Sequence, residues 1–217
     1  MFCRVEVFKW IFCLWLCQQI VAAARFNDVT CGSVFKLVQN NYKIHLHSHE
    51  VKYGSGSGQQ SVTGVDSMDD VNSHWVVKGL TSKHCNRGEI VNCGDEIRLE
   101  HLTTHRNLHS HLFSSPLSGT QEVSAFGESG TGDTGDHWQV VCEGNTWKRD
   151  QQVLLKHVDT KMYLSASGHT FGRPIHGQME ICAVSQPDMS TYWQTAEGVF
   201  IKPTDSEMPK IHDHSEL

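Results

Sequence analysis

The stretch Leu46-His47-Ser48-His49 returns as Leu108-His109-Ser110-His111, and at the matching place further on stands Leu164-Ser165-Ala166-Ser167. Reading outward from these three tetrads exposes a repeat. Upstream, Leu37, Leu99 and Leu155 each precede the tetrad leucine by nine residues. Downstream come Gly58-Gln59-Gln60-Ser61-Val62, Gly119-Thr120-Gln121-Glu122-Val123 and Gly177-Gln178-Met179-Glu180-Ile181. Each unit then reaches a tryptophan, Trp75, Trp138 or Trp193, at 29, 30 and 29 residues from its leucine. The longer middle unit takes its extra length in Gly127 to Asp136, which has loop composition.

Each unit reads as four short strands. Lys36, Arg98 and Lys156 alternate with apolar neighbours, as on a half-buried strand, and Gly, Ser, Asn and Pro cluster between the apolar runs. One such unit cannot bury its own apolar face, whereas three about a pseudo-threefold axis can, with twelve strands closing a barrel without exposed edges. The fold class expected is therefore all-β, a β-trefoil with repeats at about 29–84, 85–145 and 146–203. Leu37, Leu99 and Leu155 form one core layer and Leu46, Leu108 and Leu164 another; Val62, Val123, Ile181 and the three tryptophans fill the rest. Three repeats are too few for a propeller.

The two ends address the compartment. Arg4 and Lys9 flank the apolar run Trp10–Cys17, and Ala22-Ala23-Ala24 supplies small residues for cleavage, so residues 1–24 read as a secretory signal peptide. The run is too short to span a bilayer, which takes roughly 20 residues, and no membrane insertion is expected. Residues 25–203 form the folded domain, and 204–217 a polar tail ending His214-Ser215-Glu216-Leu217, a variant of the Lys/His-Asp-Glu-Leu signal that a retrieval receptor reads. With 24 acidic against 18 basic residues and a net charge of −6, nucleic acid is a poor partner.

Of eight cysteines, Cys31, Cys85, Cys93, Cys142 and Cys182 lie beyond the signal. In an oxidising lumen some pair, and an odd count leaves one over. The turn Asn86-Arg87-Gly88-Glu89 favours a hairpin bridge between Cys85 and Cys93. Cys31 with Cys142 is then the residual pair, and Cys182 the odd thiol. No zinc-knuckle spacing and no Asn-x-Ser/Thr sequon is present.

Several phrases are more specific than the period. Tyr53 to Gly64, Asn107 to His111, Ser115 to Gly119 and Gln121 to Gly127 resemble the stromal cell-derived factor 2 family, and the resemblance runs from Val29 to about Pro203. It implies three MIR motifs folded as a β-trefoil in the endoplasmic reticulum lumen. It also implies a quality-control role beside a luminal J-domain co-chaperone and, through it, a BiP-type chaperone, acting on unfolded or O-mannosylated clients. The third unit departs, with Ser165-Ala166-Ser167 in place of His-Ser-His.

Catalytic chemistry finds little support. Gly54-Ser55-Gly56-Ser57-Gly58 lacks the Lys and Ser/Thr of a P-loop, no Gly-x-Ser-x-Gly elbow occurs, and Asp66, Asp69, Asp70, Asp133 and Asp136 fall in loops without a visible pairing. His45, His47 and His49 alternate along a strand and share a face, as do His109 and His111. Hydrogen bonding to backbone explains them better than metal ligation, because no third-ligand pattern recurs and the third unit dispenses with them; no metal and no cofactor is expected. Two binding functions remain. One is a chaperone-complex adaptor. The other is an O-mannosyl glycan module using His47, His49, Tyr53, Gln59 and Gln60 in the first unit and His109, His111, Gln121 and Glu122 in the second. A cleft on which these groups converge favours the glycan module, and their burial in turns favours the adaptor.

Overall fold

The computed structural model describes residues 27–204; the expected signal peptide, 1–24, and the expected retrieval tetrapeptide, His214–Leu217, lie outside them. Twelve strands run in order: β1 (Val34–Gln39), β2 (Ile44–Lys52), β3 (Gln60–Val65), β4 (Trp75–Lys78), β5 (Glu96–His101), β6 (Asn107–Ser114), β7 (Gln121–Phe126), β8 (Trp138–Val141), β9 (Leu154–His157), β10 (Tyr163–Thr170), β11 (Met179–Val184) and β12 (Trp193–Val199). The only helical segments among the described residues are single 3-10 turns at Val71–Ser73 and Thr134–Asp136.

Pairing divides the strands into two groups. β1 pairs with β4, β4 with β5, β5 with β8 and β8 with β9, all antiparallel. A Val153–Trp193 bridge and the β1–β12 pairing close the ring. The remaining strands form three hairpins, β2–β3, β6–β7 and β10–β11, which pair with one another through β3, β7 and β11 and so cap one end of the ring. Closure removes the unpaired edges that short strands otherwise expose. The architecture is all-β and β-trefoil-like.

The core is where the leucine and tryptophan periodicity places it. Leu37, Leu99, Leu155, Leu46, Leu108, Leu164, Val62, Val123, Ile181, Trp75, Trp138 and Trp193 are all fully buried. Burying each is worth about 1.5–3 kcal/mol. Each tryptophan also satisfies its indole N–H inside the apolar layer, donating to the carbonyl of the leucine that opens the tetrad of its own unit: Trp75 to Leu46 at 2.8 Å, Trp138 to Leu108 at 2.8 Å, Trp193 to Leu164 at 3.0 Å. Their near-constant spacing from the leucines, 29 or 30 residues, is the signature of this bond. The turns after β1, β5 and β9 recur as well. Lys43, His105 and Lys161 occupy left-handed backbone at φ 58, 53 and 62°, and each N–H returns to the carbonyl four residues back. Arg98 and Lys156 are half-buried as expected, but Lys36 is buried and pairs with Glu197 at 2.7 Å, which holds the Glu197 carboxyl below its ordinary range.

The disulfides correct the expectation. Cys31 bonds Cys85 and Cys93 bonds Cys142, while Cys85–Cys93 and Cys31–Cys142 do not form. The turn at Gly88 is present, with Glu89 N–H donating to Asn86 O. However, its two arms part company. Cys31 N–H donates to Glu89 O and Gly88 N–H to Cys31 O, which sets Cys85 beside Cys31. Beyond the turn, Cys93 N–H donates to Asn145 O, which carries it to Cys142. Cys182 is the free thiol, as expected; burial raises its pKa to about 11, leaving it an inert core residue.

Candidate functional site

The start of β2 and of β6 brings two histidines onto one face, and a loop carboxylate meets the first of each pair. In the first unit His47 Nδ1 lies 2.8 Å from Asp70 Oδ2, and His47 Nε2 lies 2.6 Å from His49 Nδ1. Burial works against the Asp70 carboxylate, yet hydrogen bonds from Ser73 and His47 outweigh it and hold the group below its usual range. Burial, with His47 beside it, pushes His49 down, so this chain of groups keeps a neutral outer ring. In the second unit His109 Nδ1 lies 2.9 Å from Asp136 Oδ1 and 3.7 Å from Asp133 Oδ1, and His111 Nε2 lies 3.1 Å from Glu122. In the third, Ser165 takes the place of His47 and His109 and bonds Ser190 at 2.6 Å. The carboxylates Asp70, Asp133 and Asp188 each stand five residues before the unit's tryptophan. Asp136 is an addition of the second unit, standing where the others have Ser73 and Thr191.

The remaining residues singled out in the sequence divide between scaffold and surface. Tyr53 is buried, its hydroxyl donating toward the carbonyls of Val62 and Val123 at 2.8 and 3.0 Å; burial pushes its pKa far up. Gln60 donates to Ser48 Oγ and Thr104 Oγ1 at 2.8 and 2.9 Å, and Gln121 repeats this with Ser110 and Thr160 at 2.7 and 2.8 Å. Glu122 is fully buried and accepts from the N–H and hydroxyl of Ser57, clamping the Gly54–Gly58 loop. Its counterpart Glu180, also fully buried, accepts from the N–H groups of Leu117 and Ser118 in the next loop. With Glu122 already filling it, the Gly-rich loop is no anion cradle, in keeping with the turn reading.

Gln59, His109 and His111 do converge. They line an open cleft of roughly 520 Å³ with Phe126, Asp133 and His157. Its aromatic wall comes from the second unit, where His109 packs on Phe126 at ring centroids of 4.7 Å; behind it His111 packs on Phe113, outside the lining, at 4.6 Å. His47 and His49 face no such wall, since Val65 and Val51 take the places of Phe126 and Phe113. Pattern reasoning missed the meeting of His109 with two carboxylates. The signal was present in the extra aspartate two residues before Trp138, but it is legible only once the loop is folded back onto β6.

Residues 43–141 match the MIR domain family model. The chain is 53% identical over 197 residues to stromal cell-derived factor 2 of Mus musculus, covering 91% of this chain and 93% of that protein. Among solved structures it is similar to the SDF2-like protein of Arabidopsis thaliana, at 45% identity and a TM-score of 0.80 over 82% of this chain and 99% of that one. It also resembles the Pmt1–Pmt2 protein O-mannosyltransferase complex of S. cerevisiae bound to the sugar donor, at 29% identity and a TM-score of 0.72, covering 82% of this chain and 26% of that one. The designed threefold-symmetric protein ThreeFoil, 15% identical with a TM-score of 0.51 over 76% of this chain and 98% of that one, shares the fold alone. With 53% identity over 91% of its length, the chain belongs to the stromal cell-derived factor 2 family.

Proposed function

We propose that this is a non-catalytic quality-control protein of the endoplasmic reticulum lumen, built of three MIR-type repeats, delivered by residues 1–24 and returned by a retrieval receptor reading His214–Leu217. It acts as an adaptor that joins a luminal J-domain co-chaperone, and through it a BiP-type chaperone, to unfolded or O-mannosylated clients. One observation carries the adaptor reading. Most of the polar side chains that a ligand pocket would need, His47, Tyr53, Gln60, Gln121 and Glu122, are buried and engaged in internal hydrogen bonds. What the rigid scaffold offers outward is loop and hairpin surface, with Leu112 87% and Phe113 49% exposed, a preorganised patch that binds at low entropic cost. Two disulfides suit an oxidising lumen. Among the described residues no helix is long and apolar enough to cross a membrane.

The test is reconstitution. Light scattering of a denatured client should show weak suppression of aggregation by the protein alone and strong suppression with the co-chaperone, with which it should copurify from a luminal extract. Failure of both, together with direct binding of mannosyl glycopeptides, would transfer the function to the second reading. That reading is an O-mannosyl glycan site in the Gln59–His109–His111 cleft, favoured by Phe126 as an apolar floor among convergent polar groups.

A further inference from the structure

We infer that His109, Asp133 and Asp136 form a binding site for a divalent transition-metal cation, open on one side to the cleft. The three ligand atoms all lie within 4.8 Å of one another. His109 Nδ1 is 2.9 Å from Asp136 Oδ1 and 3.7 Å from Asp133 Oδ1. Ligand atoms about 2.1 Å from a common ion stand about 3.0–3.4 Å apart in octahedral or tetrahedral geometry, so small shifts complete the set. The inference runs against the metal-free expectation, which rested on histidines and on a pattern common to all three units. The ligands here belong to the second unit alone.

The groups around the site hold the ligands in place and leave the coordinating atoms available. Asp136 is fully buried, and its Oδ2 accepts from Asn107 Nδ2 at 3.2 Å and from Asp133 N–H at 3.0 Å. Its Oδ1 is thereby turned toward His109. Asp133 Oδ1 accepts from Gly135 N–H at 2.8 Å and keeps a second lone pair. A Cβ on Gly135 would fall against His109 and Asp133, so glycine lets the backbone lie on the ligand set. Such supporting bonds orient carboxylate ligands and tune their affinity. One imidazole nitrogen with two carboxylates selects ions of the Zn²⁺ type over Mg²⁺ or Ca²⁺, which prefer all-oxygen shells. To ligate through Nδ1 the neutral imidazole of His109 carries its proton on Nε2, so the ion takes the place of the Nδ1–Asp136 hydrogen bond. His109, Asp133 and Gly135 also line the cleft, so the remaining coordination positions face water or a bound hydroxyl compound. The other units are internal controls: the first has Ser73 in place of Asp136, and the third has Ser165 and Thr191 in place of His109 and Asp136.

The folded protein, dialysed against a chelator, is titrated with Zn²⁺ by calorimetry. One site is expected in the wild type. Asp133→Asn should weaken it at least tenfold, and His109→Gln should abolish it. Asparagine keeps the acceptor for Gly135 N–H, and Asp133 is 58% exposed, so this variant folds. Asp70→Asn should leave the affinity unchanged. Nitrogen NMR should report the Zn²⁺-dependent shift at His109 Nδ1. The absence of binding, equal affinity in Asp133→Asn, or loss of the site in His47→Gln/His49→Gln instead would each overturn the assignment.

Discussion

Acid should loosen this fold through His101. His101 is fully buried beside Trp75, with ring centroids 5.0 Å apart. Its Nε2 lies 2.8 Å from the Asn72 carbonyl, and its Nδ1 faces the hydroxyl and N–H of Thr104 at 2.9 and 3.3 Å. A carbonyl on one side and an N–H donor on the other specify the neutral ring protonated at Nε2. Burial, with His47 and His49 adding to it, brings the pKa to about 4 against the opposing pull of the Asn72 carbonyl and Asp70. In the unfolded chain the ring titrates near 6.5. Between these values the unfolded state holds the extra proton, so stability is complete above pH ~6.5 and falls as pH drops toward 4, at about 1.4 kcal/mol per unit. The total, about 3 kcal/mol, is a large share of the 5–15 kcal/mol typical of a domain. Repeat one supplies the diagnostic variant. Gln39 occupies the same position, donating to Met189 O at 2.8 Å and accepting from Tyr42 N–H at 2.7 Å. His101→Gln should therefore fold at pH 7.5 and lose most of its share of the pH slope. The assay is urea unfolding at pH 7.5, 6.0 and 5.0. An unchanged slope in His101→Gln would refute the reasoning; a residual slope from His157, also lowered by burial, is expected.

Three further outcomes are expected. Non-reducing peptide mapping should find Cys31 joined to Cys85 and Cys93 to Cys142, and Cys93→Ala should cost ~4 kcal/mol in the chain-entropy account of a loop spanning 49 residues, measured by denaturation. Gly56→Ala should destabilise by about 1–3 kcal/mol, because φ is +67° and a methyl group there meets the buried Glu122 carboxylate; an unchanged urea midpoint would remove that carboxylate from the loop. Deleting His214–Leu217 should send the protein into the medium of secreting cells, and equal retention would dismiss the retrieval signal.

What could be read from the sequence is what threefold closure repeats. Leu46, Leu108 and Leu164 recur with their tryptophans because each indole must reach one carbonyl, so the chemistry is held constant and the spacing varies by one residue. The disulfides were illegible because they join residues 54 and 49 apart through the pairing of Cys31 with Gly88 and Glu89 and of Cys93 with Asn145, which no local turn announces. Glu122 stood in the sequence as a candidate glycan ligand and Glu180 only as a repeat position, yet each is drawn inward by N–H groups of a neighbouring loop, at separations of 65 and 62 residues. Asp136 was hidden differently. It lies in the one stretch where the second unit departs from the period, and a repeat-based reading discounts such a stretch as loop.

The same logic locates the weak seams of the barrel. Gln60 reaches from the first unit to Thr104 of the second, where Thr104 meets His101; Gln121 reaches from the second to Thr160 of the third, where Thr160 meets His157. These two seams are tied by the same relay, and each relay ends on a buried imidazole that acid must charge. The third seam has no such relay. Met179 stands in place of Gln60 and Gln121, and Gln39 in place of the histidines. It is closed by the long β1–β12 pairing and by Thr30 Oγ1 donating to Ile201 O at 2.7 Å while Ile201 N–H donates to Ser33 at 3.0 Å. That seam joins the two ends of the folded domain, where chain connectivity gives no help, and in place of a relay to a buried imidazole it carries the Lys36–Glu197 pair between β1 and β12. The two relay imidazoles lie only in the seams that the backbone already holds together, so acid loosens those contacts first, while the Lys36–Glu197 pair across the third seam yields only when the Glu197 carboxyl, held below its ordinary range, is protonated.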